Sequence, residues 1–128
     1  MNSPDFSNYT VLIAEDNLIN YKILESALKK TQIEIIHAKN GEKAVALFEQ
    51  NPNIDLVIMD VMMPVMNGFD ATEKIKAKQP AVPVIFLTAY VNQDSIRQAV
   101  ASGCNDYLSK PIREDVLITV MCKWLPGK

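Results

Sequence analysis

Short, continuously apolar runs alternate along the chain with longer stretches in which apolar residues recur at three and four positions, the pattern of buried strands followed by amphipathic helices. Thr10 to Ala14 (TVLIA) is the first such run, and it ends abruptly in Glu15, Asp16 and Asn17, which suits a strand feeding a helix cap. Ile19 or Asn20, Ile23, Leu24, Ala27 and Leu28 then share one helical face, while Lys22, Glu25, Lys29 and Lys30 fall elsewhere. Glu34 to Ala38 (EIIHA) is short and β-branched, and Asn40-Gly41 turns the chain into a helix carrying Ala44, Leu47 and Phe48. Leu56 to Met59 (LVIM) predicts a third strand, after which Pro64, Asn67 and Gly68 break the chain before a helix running to about Lys78. Pro80 and Pro83 bracket the gap before the fourth strand, Val84 to Leu87. A fourth helix over about Gln93 to Ser102 turns Ile96, Ala99 and Val100 inward, and Gly103 is placed like a C-cap. Asp106 to Leu108 predicts a short fifth strand, and Pro111 opens a last helix with an apolar stripe of Val116, Leu117, Val120, Met121 and Trp124.

Five buried strands alternating with five helices imply a parallel sheet covered on both faces, because each crossover must return the chain to the same end of the sheet. The predicted fold is a doubly wound α/β three-layer sandwich. Its expected strand order is the flavodoxin-like 2-1-3-4-5, which puts a site outside the carboxyl ends of the strands.

At 128 residues with 48% hydrophobic content, the chain suits one self-sufficient core. We assign that domain to residues 10–125 and expect frayed ends at 1–9 and 126–128. The 13 basic and 15 acidic residues leave a formal charge of -2 and no overall basic field to draw in nucleic acid or anionic membrane. Cys104 and Cys122 form no Cys-x-x-Cys pair, and neither a signal-peptide pattern nor a bilayer-length apolar run is present, so a reduced, cytoplasmic setting is expected.

The residues just after the strands are Glu15 and Asp16, Asp60, Thr88, and Lys110. Singly, each reads as a cap or a solvated loop charge. Together, three carboxylates at one sheet edge repel and call for a counter-charge, which a hard, oxygen-liganded cation such as Mg²⁺ supplies. Glu15-Asp16-Asn17 repels phosphate unless a metal intervenes, and no Gly-x-Gly-x-x-Gly or Gly-Lys-Ser/Thr motif occurs, which excludes a Rossmann cofactor site and a P-loop. A metal, a hydroxyl and an ammonium around one carboxylate are the apparatus of phosphoryl transfer. Asp60, at the tip of the central strand, is the candidate nucleophile.

These residues resemble the receiver domain of two-component response regulators. The resemblance runs from about Val11 to Leu125 and rests on Ala14-Glu15-Asp16-Asn17, the run Met59 to Gly68 (MDVMMPVMNG), Leu87-Thr88-Ala89 and Tyr107-Leu108-Ser109-Lys110-Pro111. It implies a CheY-like fold, with Asp60 as phospho-acceptor and Mg²⁺ (or Mn²⁺) on Glu15, Asp16, Asp60 and the Met62 carbonyl. It further implies Lys110 as the phosphate-pairing lysine, Thr88 and Tyr107 as the switch pair, and a cis peptide before Pro111. Ala89 and Tyr90 would border the access route of the phosphoryl group. The implied donor is a histidine kinase or histidine phosphotransfer protein, and the recipient of the signal a downstream protein or another domain of the same chain. The run Glu15-Asp16-Asn17-Leu18-Ile19-Asn20, with Ile112 after Pro111, is most similar to receivers of hybrid sensor histidine kinases.

Two other readings compete. A metal-dependent phosphohydrolase with an aspartyl nucleophile generally needs a second acid two residues on, where Met62 stands; a docking module that takes no phosphate would not need the acidic set. His37, the only histidine, reads as a satisfied strand residue and not as a phosphodonor. Met59 reads as core, whereas Met62 and Met66 read equally as a soft partner surface or as loop filler.

Overall fold

The computed structural model describes residues 4–63, 65–89 and 92–125; the expectations that fall on residues 1–3, Pro64, Tyr90 and residues 126–128 lie outside them. The chain runs β1 (Thr10–Ala14), α1 (Leu18–Leu28), β2 (Glu34–Ala38), α2 (Gly41–Gln50), β3 (Leu56–Asp60), α3 (Gly68–Lys78), β4 (Val84–Thr88), α4 (Gln93–Ser102), β5 (Asp106–Ser109) and α5 (Glu114–Trp124). The strands form one parallel sheet in the order β2-β1-β3-β4-β5, as the alternation predicts.

Alternate residues of the central strands feed opposite layers. Val11 and Ile13, Leu56 and Ile58, and Ile85 and Leu87 pack with Leu24, Leu28, Leu117 and Met121 beneath α1 and α5. Leu12, Val57, Met59, Val84 and Phe86 pack with Ala44, Phe48, Ala71, Ile75 and Ala99 beneath α2, α3 and α4. The side chains of Asn17, Asn40, Asn67 and Asn92 each accept a bond from a backbone N–H in the first turn of α1 to α4. Each such cap is worth about 1 kcal/mol and fixes where its helix leaves the sheet edge. No helix among the described residues is long and apolar enough to cross a membrane.

Several local expectations are corrected. The segment before β1 is not frayed where it is described: Phe6 and Tyr9 are buried against each other edge to face, and the Phe6 amide donates to Thr31 O at 2.8 Å. On α1 it is Tyr21, Leu24 and Leu28 that face the sheet, leaving Ile19 at 72% and Ile23 at 49% exposure. The ring of Tyr21 stacks on His37 of β2 on the buried side of the helix, and the two isoleucines lie on the outward side. On α4, Ala99 and Ser102 make the buried contact and Val100 points to solvent, because the short edge strand β5 offers little surface to cover. Helix α5 begins at Glu114, three residues beyond Pro111.

Candidate functional site at the carboxyl edge of the sheet

Parallel strands bring all their carboxyl ends to one edge, so residues far apart in sequence meet there. Oxygens of Glu15, Asp16 and Asp60 lie within 4.8 Å of one another. Glu15 and Asp60 are buried while Asp16 is exposed, so the cluster has a closed floor and an open mouth. Lys110 reaches in from the end of β5, with its Nζ 3.2 Å from Asp60 Oδ2 and 3.7 Å from Glu15 Oε2. The Met62 amide donates to the other Asp60 oxygen at 3.2 Å, so both carboxylate oxygens are held in place. The Lys110–Pro111 peptide is cis, and the Lys110 amide donates to Thr88 O at 2.8 Å, tying the end of β5 to the end of β4.

The polypeptide crowds closely around Asp60. A Cβ on Gly68 would lie 2.4 Å from the Asp60 carbonyl oxygen, and the Gly68 amide donates to Val61 O at 3.0 Å. A Cβ on Gly41 would lie 2.3 Å from Met66 O, which accepts a bond from the Gly41 amide. Two Asn-Gly steps therefore fit the β3–α3 loop around the site, and it is their glycines that allow the approach. Met66 packs on the core beneath α2 and α3, and Met62 is 72% exposed.

Electrostatically the site is short of positive charge. Burial, reinforced by the Asp60 carboxylate and opposed by Asn20 and Lys110, pushes the Glu15 carboxyl up to about 8. Both Glu15 oxygens are buried and lack a hydrogen-bond partner among the described residues. Buried, unpartnered carboxylate oxygens beside two further carboxylates are what an oxygen-liganded divalent cation satisfies, so the donor set fits Mg²⁺. Thr88 is half-buried at the tip of β4. It lines, with Val61, Phe69, Phe86, Ile96 and Ala99, a small apolar recess that Tyr107 also borders while remaining 42% exposed. Ala89 is exposed beside Thr88.

Two features of the site have no signal in the periodicity. His37 Nε2 lies 2.8 Å from the backbone oxygen of Glu15, and this contact depends on the register that pairs Ile13 with His37. The close approach of Gly41 to Met66 depends on a loop whose path only the fold defines.

Similarity to known proteins extends over most of the chain. A protein 40% identical over 108 residues, a cyclic di-GMP phosphodiesterase of Thermotoga maritima, is matched by 84% of this chain. The chain spans only 28% of that protein's length, and 13% and 17% of two further curated relatives. The co-crystal structure of the Saccharomyces cerevisiae histidine phosphotransfer signaling protein Ypd1 and the receiver domain of its downstream response regulator Ssk1 holds a chain 36% identical to this one, with TM-score 0.84 over 95% of this chain and 90% of that one. The receiver domain of the Pseudomonas aeruginosa sensor histidine kinase PA1611, with a magnesium ion coordinated in its active-site cleft, is 30% identical, with TM-score 0.86 over 93% of this chain and 98% of that one. Residues 11–121 match the family model of the response regulator receiver domain, and the chain belongs to that family.

Proposed function

We propose that Asp60 accepts a phosphoryl group from a phosphohistidine and that the domain passes the resulting change of shape to a partner. One observation carries this reading: the buried Asp60 carboxylate is clustered with two further acids, and the Lys110 ammonium reaches both it and Glu15. Glu15, Asp16, Asp60 and the Met62 carbonyl would hold Mg²⁺, or Mn²⁺ in its place. When bound, such a cation neutralises charge on the transferring phosphoryl group.

In the transfer, an Asp60 oxygen forms the new P–O bond as the P–N bond to the donor imidazole breaks, and the imidazole keeps the electron pair. The amide of Met62 and the ammonium of Lys110 orient Asp60 beforehand, and Lys110 then pairs with the transferred group. Small, exposed Ala89 leaves the approach open beside Thr88. The Thr88 hydroxyl turns toward the phosphoryl group and Tyr107 moves into the recess next to it, shifting the α4-β5-α5 face between two pre-existing states. The donor is a histidine kinase or a histidine phosphotransfer protein, for which the exposed Leu18, Ile19 and Ile23 of α1 offer an apolar seat beside the cluster. The chain acts as the receiver portion of a hybrid sensor histidine kinase at the cytoplasmic side of the membrane, and the next recipient is a downstream protein or another domain of the same chain. By itself the domain catalyses only its own phosphorylation and dephosphorylation.

Incubation with Mg²⁺ and a small acyl phosphate, followed by intact-mass measurement, should add one phosphoryl group to the wild type and none to Asp60→Asn. An adduct undiminished in Asp60→Asn would overturn the assignment.

A further inference from the structure

The carbonyl of Glu15 belongs to the peptide that joins the two acids of the cluster, so the plane of that peptide sets how the Glu15 and Asp16 side chains stand to each other. The sheet does not hold this plane. The pairing of β1 with β2 ends at Ala14 and Ala38, and one further bond, from the Glu15 amide to Ala38 O at 3.0 Å, closes the ladder. Beyond it the chain turns into the Lys39-Asn40 bend, and the Glu15 carbonyl needs another donor.

His37 supplies it. Its Nε2 lies 2.8 Å from Glu15 O, and since a carbonyl only accepts, Nε2 carries the hydrogen in this geometry. The ring itself is held: Tyr21 of α1 stacks on it with centroids 3.6 Å apart and planes 7° from parallel, and the Tyr21 hydroxyl donates to Glu25 at 3.3 Å. Helix, ring and strand thus form a brace behind the acidic pair. Glu15 gains both of its backbone anchors from β2, although its side chain faces the metal site.

We infer that His37, clamped by Tyr21, is a positioning residue that orients the Glu15–Asp16 peptide and so sets the affinity of the acidic cluster for a divalent cation. This rests on the reading of that cluster as a Mg²⁺ site. Groups that orient metal ligands without touching the metal typically contribute about ten- to a hundredfold to affinity, and a backbone brace belongs at the lower end.

The test is the Mg²⁺ dissociation constant of the folded domain, measured by calorimetry and by the shift of the Asp16 amide in NMR titration, alongside the melting temperature without Mg²⁺. His37→Phe keeps a ring for Tyr21 to stack on but removes the donor, and binding should weaken by about tenfold. His37→Gln places an amide N–H near the same position and should restore most of the affinity. Tyr21→Phe keeps the stack and should bind like the wild type. His37→Val, a donorless residue suited to a strand, replaces His37→Phe if that variant does not fold. A merely structural role would lower the melting temperature while leaving the dissociation constant alone. Unchanged affinity in a folded donorless variant, with the wild type binding Mg²⁺, would overturn the inference alone. A wild type that does not bind Mg²⁺ would overturn the metal reading and the inference with it.

Discussion

The Lys110 ammonium lies closer to Asp60, at 3.2 Å, than to Glu15, at 3.7 Å, although Glu15 is the more deeply buried of the two acids. One cation shared unequally between two carboxylates leaves Glu15 the under-compensated partner, which accords with its raised carboxyl. Replacing the ammonium, as in Lys110→Met, should lower the stability of the metal-free protein at pH 8 by about 1–3 kcal/mol, since a buried carboxylate loses its pairing. Urea unfolding of the two proteins without Mg²⁺ measures this. The variant should also lose the proposed phosphorylation-linked shape change.

The Glu15 carboxyl makes stability depend on pH with a definite sign. Its ordinary value is 4.5 and its folded value about 8, so between those pH values the folded state holds more protons than the unfolded state. Stability from this group is therefore fully present below about pH 4.5 and lost as pH rises toward 8, by an amount on the order of a few kcal/mol. Glu15→Gln should flatten this slope in metal-free unfolding curves. Mg²⁺, which favours the ionised form, should raise the melting temperature more at pH 8 than at pH 5. An equal effect at both pH values would contradict the account.

Gly41 begins α2, a position where alanine would ordinarily favour the helix. Here the sign reverses, because the added methyl would stand 2.3 Å from Met66 O, a backbone atom. Gly41→Ala should cost about 1–3 kcal/mol and shift the amide resonances of Val65 to Asn67. A neutral or stabilising result would show that the β3–α3 loop yields freely.

Phe6 tests the segment ahead of the first strand. It is 4% exposed and joined by its amide to Thr31, so Phe6→Ala should cost about 3 kcal/mol by equilibrium unfolding. A change below about 1 kcal/mol would mark the segment as incidental to the core.

Trp124 Nε1 donates to Asp106 at 3.0 Å, and Asp106 is the first residue of β5, at the sheet end opposite the acidic cluster. Adding Mg²⁺ should leave the tryptophan emission essentially unchanged, whereas Asp106→Asn should alter it in the metal-free protein. A large response to Mg²⁺ would place the cation elsewhere.

Much of this architecture is legible in the sequence because strands buried on both faces must be nearly continuous apolar runs, as LVIM and VIFL are. The ladders extend one rung past those runs, so Asp60 and Thr88 close β3 and β4. Helix faces are harder to read: a wide apolar stripe does not reveal which part packs, and on α1 it is Tyr21, stacked on His37, that is buried while Ile19 and Ile23 are exposed. Phe6 stands alone among polar neighbours, with no period to betray its burial. The convergence of Glu15, Asp16, Asp60 and Lys110 is visible from strand ends alone. The roles of Gly41 and His37 are not, because they arise from register between elements.

Glu15 follows the first strand and Lys110 follows the last, so the edge that both help to form is complete only when all five strands are in place. A nascent chain still lacking β5 would carry its acids and the proposed acceptor, yet no ammonium to hold them. The charge balance of the cluster is therefore a property of the whole sheet, reached only when its last strand joins.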